Sequence, residues 1–154
     1  MKVYLETSFV SACVTTRTDP SSLHRRKESL EWWHSERGKY ELRVSTEVFA
    51  ELEAPSYPSR LDAARFIQGI LVLDLTPEVL DFARILIEER VMPGPLKGDA
   101  LHVAVATLAR ADYLLSWNVK HLANPNKRVH LAKTCLRLGH TPPTILTPEF
   151  LWEE

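Results

Sequence analysis

The sequence predicts an α/β protein, three layers (α/β/α) around a central parallel sheet of about five strands. Two observations carry this. Short, continuously apolar runs recur along the chain, at Val3-Tyr4-Leu5, Leu42 to Ser45, Ile70 to Leu75, Tyr113 to Trp117 and Thr144 to Leu146. Between them lie longer segments with apolar residues at helical spacing. Strands that lack an apolar–polar alternation are buried on both faces, and alternation with helices is the pattern of crossover-linked parallel strands. A chain of 154 residues, 45% hydrophobic and 25% charged, suits a single domain, residues 1-154, with one sizeable core.

Each element has a local reason. Val3-Tyr4-Leu5 reads as a buried strand, and Glu6-Thr7-Ser8 as the turn after it. Ser21 and Ser22 read as N-caps of a helix through Leu30, Trp32 and Trp33 to about Arg37, stopped by Gly38. The second strand leads into a helix carrying Val48, Phe49 and Leu52, ended by Pro55 and Pro58, after which Ser59 caps a helix that stops near Gly69. Ile70 to Leu75 reads as a third buried strand. Thr76-Pro77-Glu78 combines a capping hydroxyl with proline at the first helical position, and that helix reaches about Arg90. Leu101, Val105 and Leu108 mark a helix from about Gly98 to Arg110, and a last helix spans about Asn126 to Leu138 before the fifth strand.

Bulk properties exclude several classes. No apolar run reaches the roughly 18 residues of a membrane span, and the short apolar start does not read as a signal peptide, so a cytoplasmic location is expected. Cys13 and Cys135 are isolated, without zinc or disulfide spacing, and read as small buried hydrophobes. The net charge of -1 is not that of an obvious nucleic-acid binder, but its distribution is uneven. Tyr113 to Pro148 contains no Asp or Glu while carrying Lys120, Lys127, Arg128, Lys133 and Arg137, and His24-Arg25-Arg26-Lys27 forms a second basic group.

In open parallel sheets the functional crevice lies at the carboxyl ends of the strands. The polar residues placed there are Glu6 after strand one, Glu51 on the helix after strand two, Asn118 after strand four, and Asp99 opening the helix before strand four. Each alone reads as readily as a solvated acid, a helix cap or a turn residue, and Glu47, Glu51 and Glu53 read as glutamates on an exposed helix face. Together they suggest carboxylates gathered around a hard divalent cation, which takes oxygen ligands and assists phosphoryl chemistry. No GxSxG elbow is present for acyl transfer, and no DxD turn follows strand one for an aspartyl phosphohydrolase.

These motifs resemble a known family. Lys2-Val3-Tyr4-Leu5-Glu6-Thr7-Ser8 looks like the opening strand of PIN domains, and Val44 through Glu51 like their second motif. Gly98-Asp99-Ala100-Leu101-His102-Val103-Ala104 resembles the third, and Tyr113-Leu114-Leu115-Ser116-Trp117-Asn118-Val119-Lys120-His121-Leu122-Ala123-Asn124 the fourth, in the form of a bacterial VapC-like toxin branch. The resemblance covers essentially the whole chain. It implies a Mg²⁺- or Mn²⁺-dependent endoribonuclease, paired with a small antitoxin and forming a homodimer. Glu6, Glu51, Asp99 and Asn118 would be catalytic, with Glu6, Glu51 and Asp99 on the metal and Thr7, Ser8 and His102 in support. Two positions depart from the family pattern, which has Asp where this chain has Glu6 and often Asp where it has Asn118. They imply weaker metal binding, and leave open a catalytically weak or inactive PIN-fold module that binds RNA or protein. Lys120, His121, Lys127 and Arg128 are the expected RNA contacts. His102 shares a helix face with Asp99 and reads equally as a contact to the scissile phosphate or a metal ligand, or as a structural polar contact near the site. Trp117 and at least one of Trp32 and Trp33 read as core.

Overall fold

The order of strands in the sheet fixes where the crevice opens. The structure, a computed structural model, describes residues 1–54 and 59–153. Five parallel strands, β1 (Lys2–Leu5), β2 (Glu41–Ser45), β3 (Leu71–Leu73), β4 (Tyr113–Leu115) and β5 (Thr144–Leu146), are arranged β3-β2-β1-β4-β5. The chain steps outward from β1 to β3, then returns to the other side of β1 for β4. The order therefore reverses between β1 and β4, and ligands bind outside the carboxyl ends of strands at such a switch point. There Leu5 pairs with Leu115, and the Glu6 amide donates to the Leu115 carbonyl at 3.1 Å. The residues that leave the two strands, Glu6-Thr7-Ser8 and Ser116-Trp117-Asn118, are thus neighbours.

Val3, Tyr4 and Leu5 are each completely buried. Successive residues of a strand face opposite sides of the sheet, so both faces of β1 are covered, as a three-layer fold requires. The helices are α1 (Thr7–Val14), α2 (Pro20–Glu36), α3 (Thr46–Leu52), α4 (Arg60–Phe66), α5 (Pro77–Glu88), α6 (Asp99–Leu108) and α7 (Pro125–Arg137). α1 packs on α2 and α4, and α5 on α6. Trp32, Trp33 and Trp117 are all buried, as are Cys13 and Cys135. No helix among the described residues is long and apolar enough to cross a membrane.

Four local readings change. Thr7 and Ser8 do not form a turn but the first residues of α1, with Glu6 as its N-cap accepting from the Ser8 amide. An acidic cap immediately after a strand is both turn and helix start, and the apolar content of Phe9, Val10 and Ala12 hides the periodicity. The cap of α2 is Asp19 rather than Ser21 or Ser22, because Pro20 takes the first helical position and the Asp19 carboxylate accepts from the Ser22 amide. β3 is not buried: Leu71 is 52% and Val72 41% exposed, since among the described residues β3 is an edge strand paired only with β2. Glu47, read as exposed, is buried and accepts a hydrogen bond from the Gly98 amide at 3.0 Å. The stop assigned to Pro55 and Pro58 lies outside the described residues, and α3 ends at Leu52.

Candidate metal centre

Glu6 is held in place by three donors on one oxygen. Its Oε2 accepts from the Ser8 amide at 3.0 Å, from the Ser116 hydroxyl at 2.9 Å and from the Ser8 hydroxyl. The Ser116 oxygen in turn accepts from the Asn118 amide, and the Ser8 oxygen from the Trp117 amide at 2.8 Å. Glutamate is one methylene longer than aspartate, and the extra length is taken up by folding back over the start of α1. Oε1 is left facing the interior of the crevice, where His102 Nε2 lies 3.8 Å away.

Glu51 comes in from α3. Its Oε1 accepts from the Thr7 hydroxyl at 2.8 Å and is bonded to His102 Nε2. Because a carboxylate only accepts, Nε2 carries the proton in this contact. His102 is completely buried, and its Nδ1 lies 2.7 Å from the Tyr4 hydroxyl, which is also 2.7 Å from Ser45 Oγ. Ser45 is the last residue of β2 and sits at the N-cap of α3 without capping it, its hydroxyl being engaged with Tyr4. A buried chain Ser45–Tyr4–His102–Glu51 therefore links the ends of β2 and β1 to α6 and α3.

The electrostatics follow from that packing. Burial pushes the Glu51 carboxyl up, but the His102 bond, the His102 charge and the Thr7 bond outweigh it and hold the group below the usual carboxylate range. Burial likewise disfavours a charged His102, yet the Glu51 bond and the charges of Glu6, Glu51 and Glu47 hold its pKa above the ordinary histidine value. Burial, opposed by the Ser45 bond and reinforced by the same acids, keeps the Tyr4 phenol protonated.

Asp99 opens α6 from a strained position. Gly98 before it has φ 61 and ψ -126, a conformation that only glycine adopts easily. Both Asp99 oxygens receive the Asn118 amide nitrogen, at 3.1 Å each, while the Asn118 carbonyl oxygen accepts from the His121 amide. Asn118 thus presents its donor, not its oxygen, to the acid.

The donors that come together are not the trio expected from the sequence. Among the described residues, Glu6, Glu51 and His102 place one ligand atom each within 4.8 Å of one another. Two carboxylate oxygens on one crevice suit a hard divalent cation, so Glu6 and Glu51 fit the implied metal, while His102, whose Nε2 proton is donated to Glu51, holds that carboxylate in place. Asp99 is outside this group. It lines an adjoining cleft with Glu47 and Gly98, and Glu51 lines both that cleft and the one containing Glu6, Thr7 and Ser8. Neither cleft is lined by Lys120, His121, Lys127 or Arg128; Lys127 and Arg128 instead border a mainly apolar hollow with Met92, Leu131 and Ile145. Tyr4, Ser45 and Ser116 were not singled out in the sequence. Their positions in β1, at the end of β2 and just after β4 are the signal that could have found them.

No family model matches the chain, and no curated protein matches its sequence. Solved structures do. The chain superposes on VapC20 of Mycobacterium tuberculosis, a Sarcin-Ricin loop cleaving toxin, over 77% of this chain and 92% of that one, with TM-score 0.59 and 16% identity. The fold is a PIN-like α/β fold. Its match to FitAcB from Neisseria gonorrhoeae spans 97% of this chain and 99% of that one, with TM-score 0.58 and 12% identity. VapBC2 from Rickettsia felis, bound to a DNA fragment from its promoter, matches over 78% and 90%, with TM-score 0.51 and 18% identity. At these identities the likeness is one of PIN-type architecture, and the chemistry has to be argued from the side chains.

Proposed function

We propose that the protein is a metal-dependent endoribonuclease that hydrolyses RNA phosphodiesters, the toxin of a toxin–antitoxin pair. The observation that carries this reading is the convergence of Glu6 and Glu51 on one crevice at the β1–β4 switch point. Glu6 and Glu51 would hold Mg²⁺ or Mn²⁺. When bound, such an ion polarises a phosphodiester and lowers the pKa of a coordinated water.

The remaining residues are assigned by what they touch. Ser8 and Ser116 fix the rotamer of Glu6, leaving Oε1 free for the ion. Thr7 and His102 orient Glu51. Asp99, steadied by Asn118, lines the adjoining cleft that it shares with Glu51 and would orient the attacking water or take its proton. A small antitoxin partner is supported by the structural likeness to VapBC2 and FitAcB, and a homodimer is inferred from the sequence resemblance alone.

The test is cleavage of a mixed RNA by purified protein in Mn²⁺, beside Glu51→Gln and Asp99→Asn. Cutting that disappears with EDTA and in both variants supports the reading. Activity surviving in both variants places the chemistry elsewhere. One observation favours a second reading, a binding module with little activity: the neutral amide of Asn118 occupies both oxygens of Asp99. Metal binding and RNA binding without any cutting would select it.

A further inference from the structure

The paired glutamates stand at one end of a longer cleft of about 510 Å³, within the roughly 300–1,000 Å³ range of ligand sites. Beyond Glu6 and Glu51 its walls are no longer acidic. Along α1, the α1–α2 connection and the start of α2 they present Ser11, Thr15, Thr16, Arg17, Ser22 and Arg25. Carboxylates at one end, followed by hydroxyls and guanidinium groups, form a surface graded from metal-binding to anion-binding. Hydroxyls both donate and accept, matching phosphate and sugar oxygens, and arginine forks match phosphate geometry.

Neither arginine is held by a strong ion pair. Among the described residues Arg25 makes no ion pair, and Arg17 meets only Asp19, at 3.5 Å with both side chains well exposed, a contact of the weak class. Arg25 is nevertheless not adrift. Its guanidinium carbon sits 5.6 Å from the centroid of the Trp117 ring, and Trp117 is buried with its indole N–H donated to Ser29 at 2.7 Å. The Trp117 amide is bonded to Ser8, whose hydroxyl holds Glu6. Arg25 and Glu6 are thereby referenced to the same strand end, which sets their separation.

We propose that this cleft is the track of a single RNA strand, with the phosphate to be cut at Glu6 and Glu51 and neighbouring backbone phosphates on Arg25 and Arg17. The assignment rests on the nuclease reading above and gives it a direction. The strand leaves the acids along α1 and α2, in a cleft that Lys120, Lys127 and Arg128 do not line. Glu6 is only 5% exposed, so the scissile phosphate must be drawn inward. A flexible single strand can follow that path, whereas a base-paired helix holds its phosphates on an outer surface.

The experiment is binding, not cleavage. Fluorescence anisotropy with a random-sequence 20-nucleotide RNA pool is run in EDTA at low salt and through a salt titration. The proteins are the wild type, Arg17→Gln, Arg25→Gln, their double variant, and Lys120→Gln/Lys127→Gln. Each arginine change is expected to weaken binding about three- to tenfold and to lower the slope of log affinity against log salt by about 0.7, the value for one phosphate contact on a single strand. The lysine pair is expected to stay within about twofold of wild type. Unchanged affinity and slope in the arginine double variant, loss confined to the lysine pair, or no binding by the wild type would each overturn the track. Equal binding of a DNA pool would overturn its assignment to RNA. Arginine-dependent binding by a protein that cuts nothing would leave the track standing and remove the nuclease reading.

Discussion

Tyr4 and His102 share a 2.7 Å hydrogen bond in a completely buried space, and the Tyr4 hydroxyl is bonded equally closely to Ser45. One phenol therefore satisfies two buried polar groups and fixes which nitrogen of His102 faces Glu51. Tyr4→Phe leaves both without a partner. Each unsatisfied buried group costs about 1–3 kcal/mol, so the variant should lose stability of that order. Tyr4→Phe/Ser45→Ala should lose less than the sum of the two single changes, because the second removes a group already orphaned. Urea unfolding of the four proteins measures this. Strict additivity would mean that the three side chains do not act as a chain.

The His102–Glu51 contact gives the metal-free protein a stability that depends on pH in both directions. The pKa of His102 is raised by its acidic neighbours. Its contribution is then complete below the ordinary histidine value of roughly 6.5 and is lost as pH rises through the folded pKa. Glu51 is held low, mainly through His102 once burial is overcome. Its contribution is present above the usual carboxylate pKa of about 4.3 and disappears as pH falls through the folded value. In EDTA the melting temperature should therefore peak between these limits and decline toward alkaline pH. His102→Asn should remove the alkaline decline. A wild-type melting temperature that is flat or rising across that alkaline range would contradict the assigned charge state.

The sheet was readable because its strands are apolar runs too short for helices, and because capping chemistry such as Thr76-Pro77 announces where helices begin. The exposure of β3 was not. Leu71 and Val72 have the composition of a central strand, and only the strand order, which sequence patterning does not encode, puts them at an edge. The same division holds at the site. Strand ends pointed to Glu6 and Asn118, and helix position to Glu51 and Asp99. Which of these meet depends on side-chain packing, and there His102, one turn along α6 from Asp99, is drawn between the two glutamates while Asp99 is held by Asn118. Tyr4 was hidden for the opposite reason: in a wholly buried strand an aromatic reads as core, and its hydroxyl carries no signal in the pattern.

Gly98 and Gly38 offer a controlled comparison. A methyl group added at either would meet no atom within 4 Å, but Gly98 has φ +61 while Gly38 lies in the short 3-10 helix Arg37–Lys39. Gly98→Ala should cost about 1–3 kcal/mol of backbone strain, or about 2–4 °C of melting temperature per kcal/mol for a chain of this size. It should also reduce activity, because Asp99 follows directly and Glu47 accepts from the Gly98 amide. Gly38→Ala, without a positive φ to strain, should be neutral or slightly stabilising. Thermal melts of the two single variants check this, and equal losses in both would show that the Gly98 conformation is not what matters.

Because Asp99 is outside the Glu6, Glu51 and His102 group, the two acids tested for activity should separate in a metal titration. Glu51 contributes an oxygen to the cluster, so Glu51→Gln should weaken Mn²⁺ binding by at least about tenfold, equivalent to about 1.4 kcal/mol, and abolish cutting. Asp99 is bound to Asn118 through both oxygens. Asp99→Asn should leave Mn²⁺ binding within about threefold of wild type while lowering the rate of RNA hydrolysis by about 100-fold or more, the scale of losing a group that moves a proton in the transition state. Calorimetry with Mn²⁺ supplies the first quantity and single-turnover cleavage the second. If Asp99→Asn instead loses metal as completely as Glu51→Gln, then Asp99 must swing off Asn118 to reach the ion. The Asp99–Asn118 pair would then describe only the metal-free protein, and Asp99 would join Glu6 and Glu51 as a ligand.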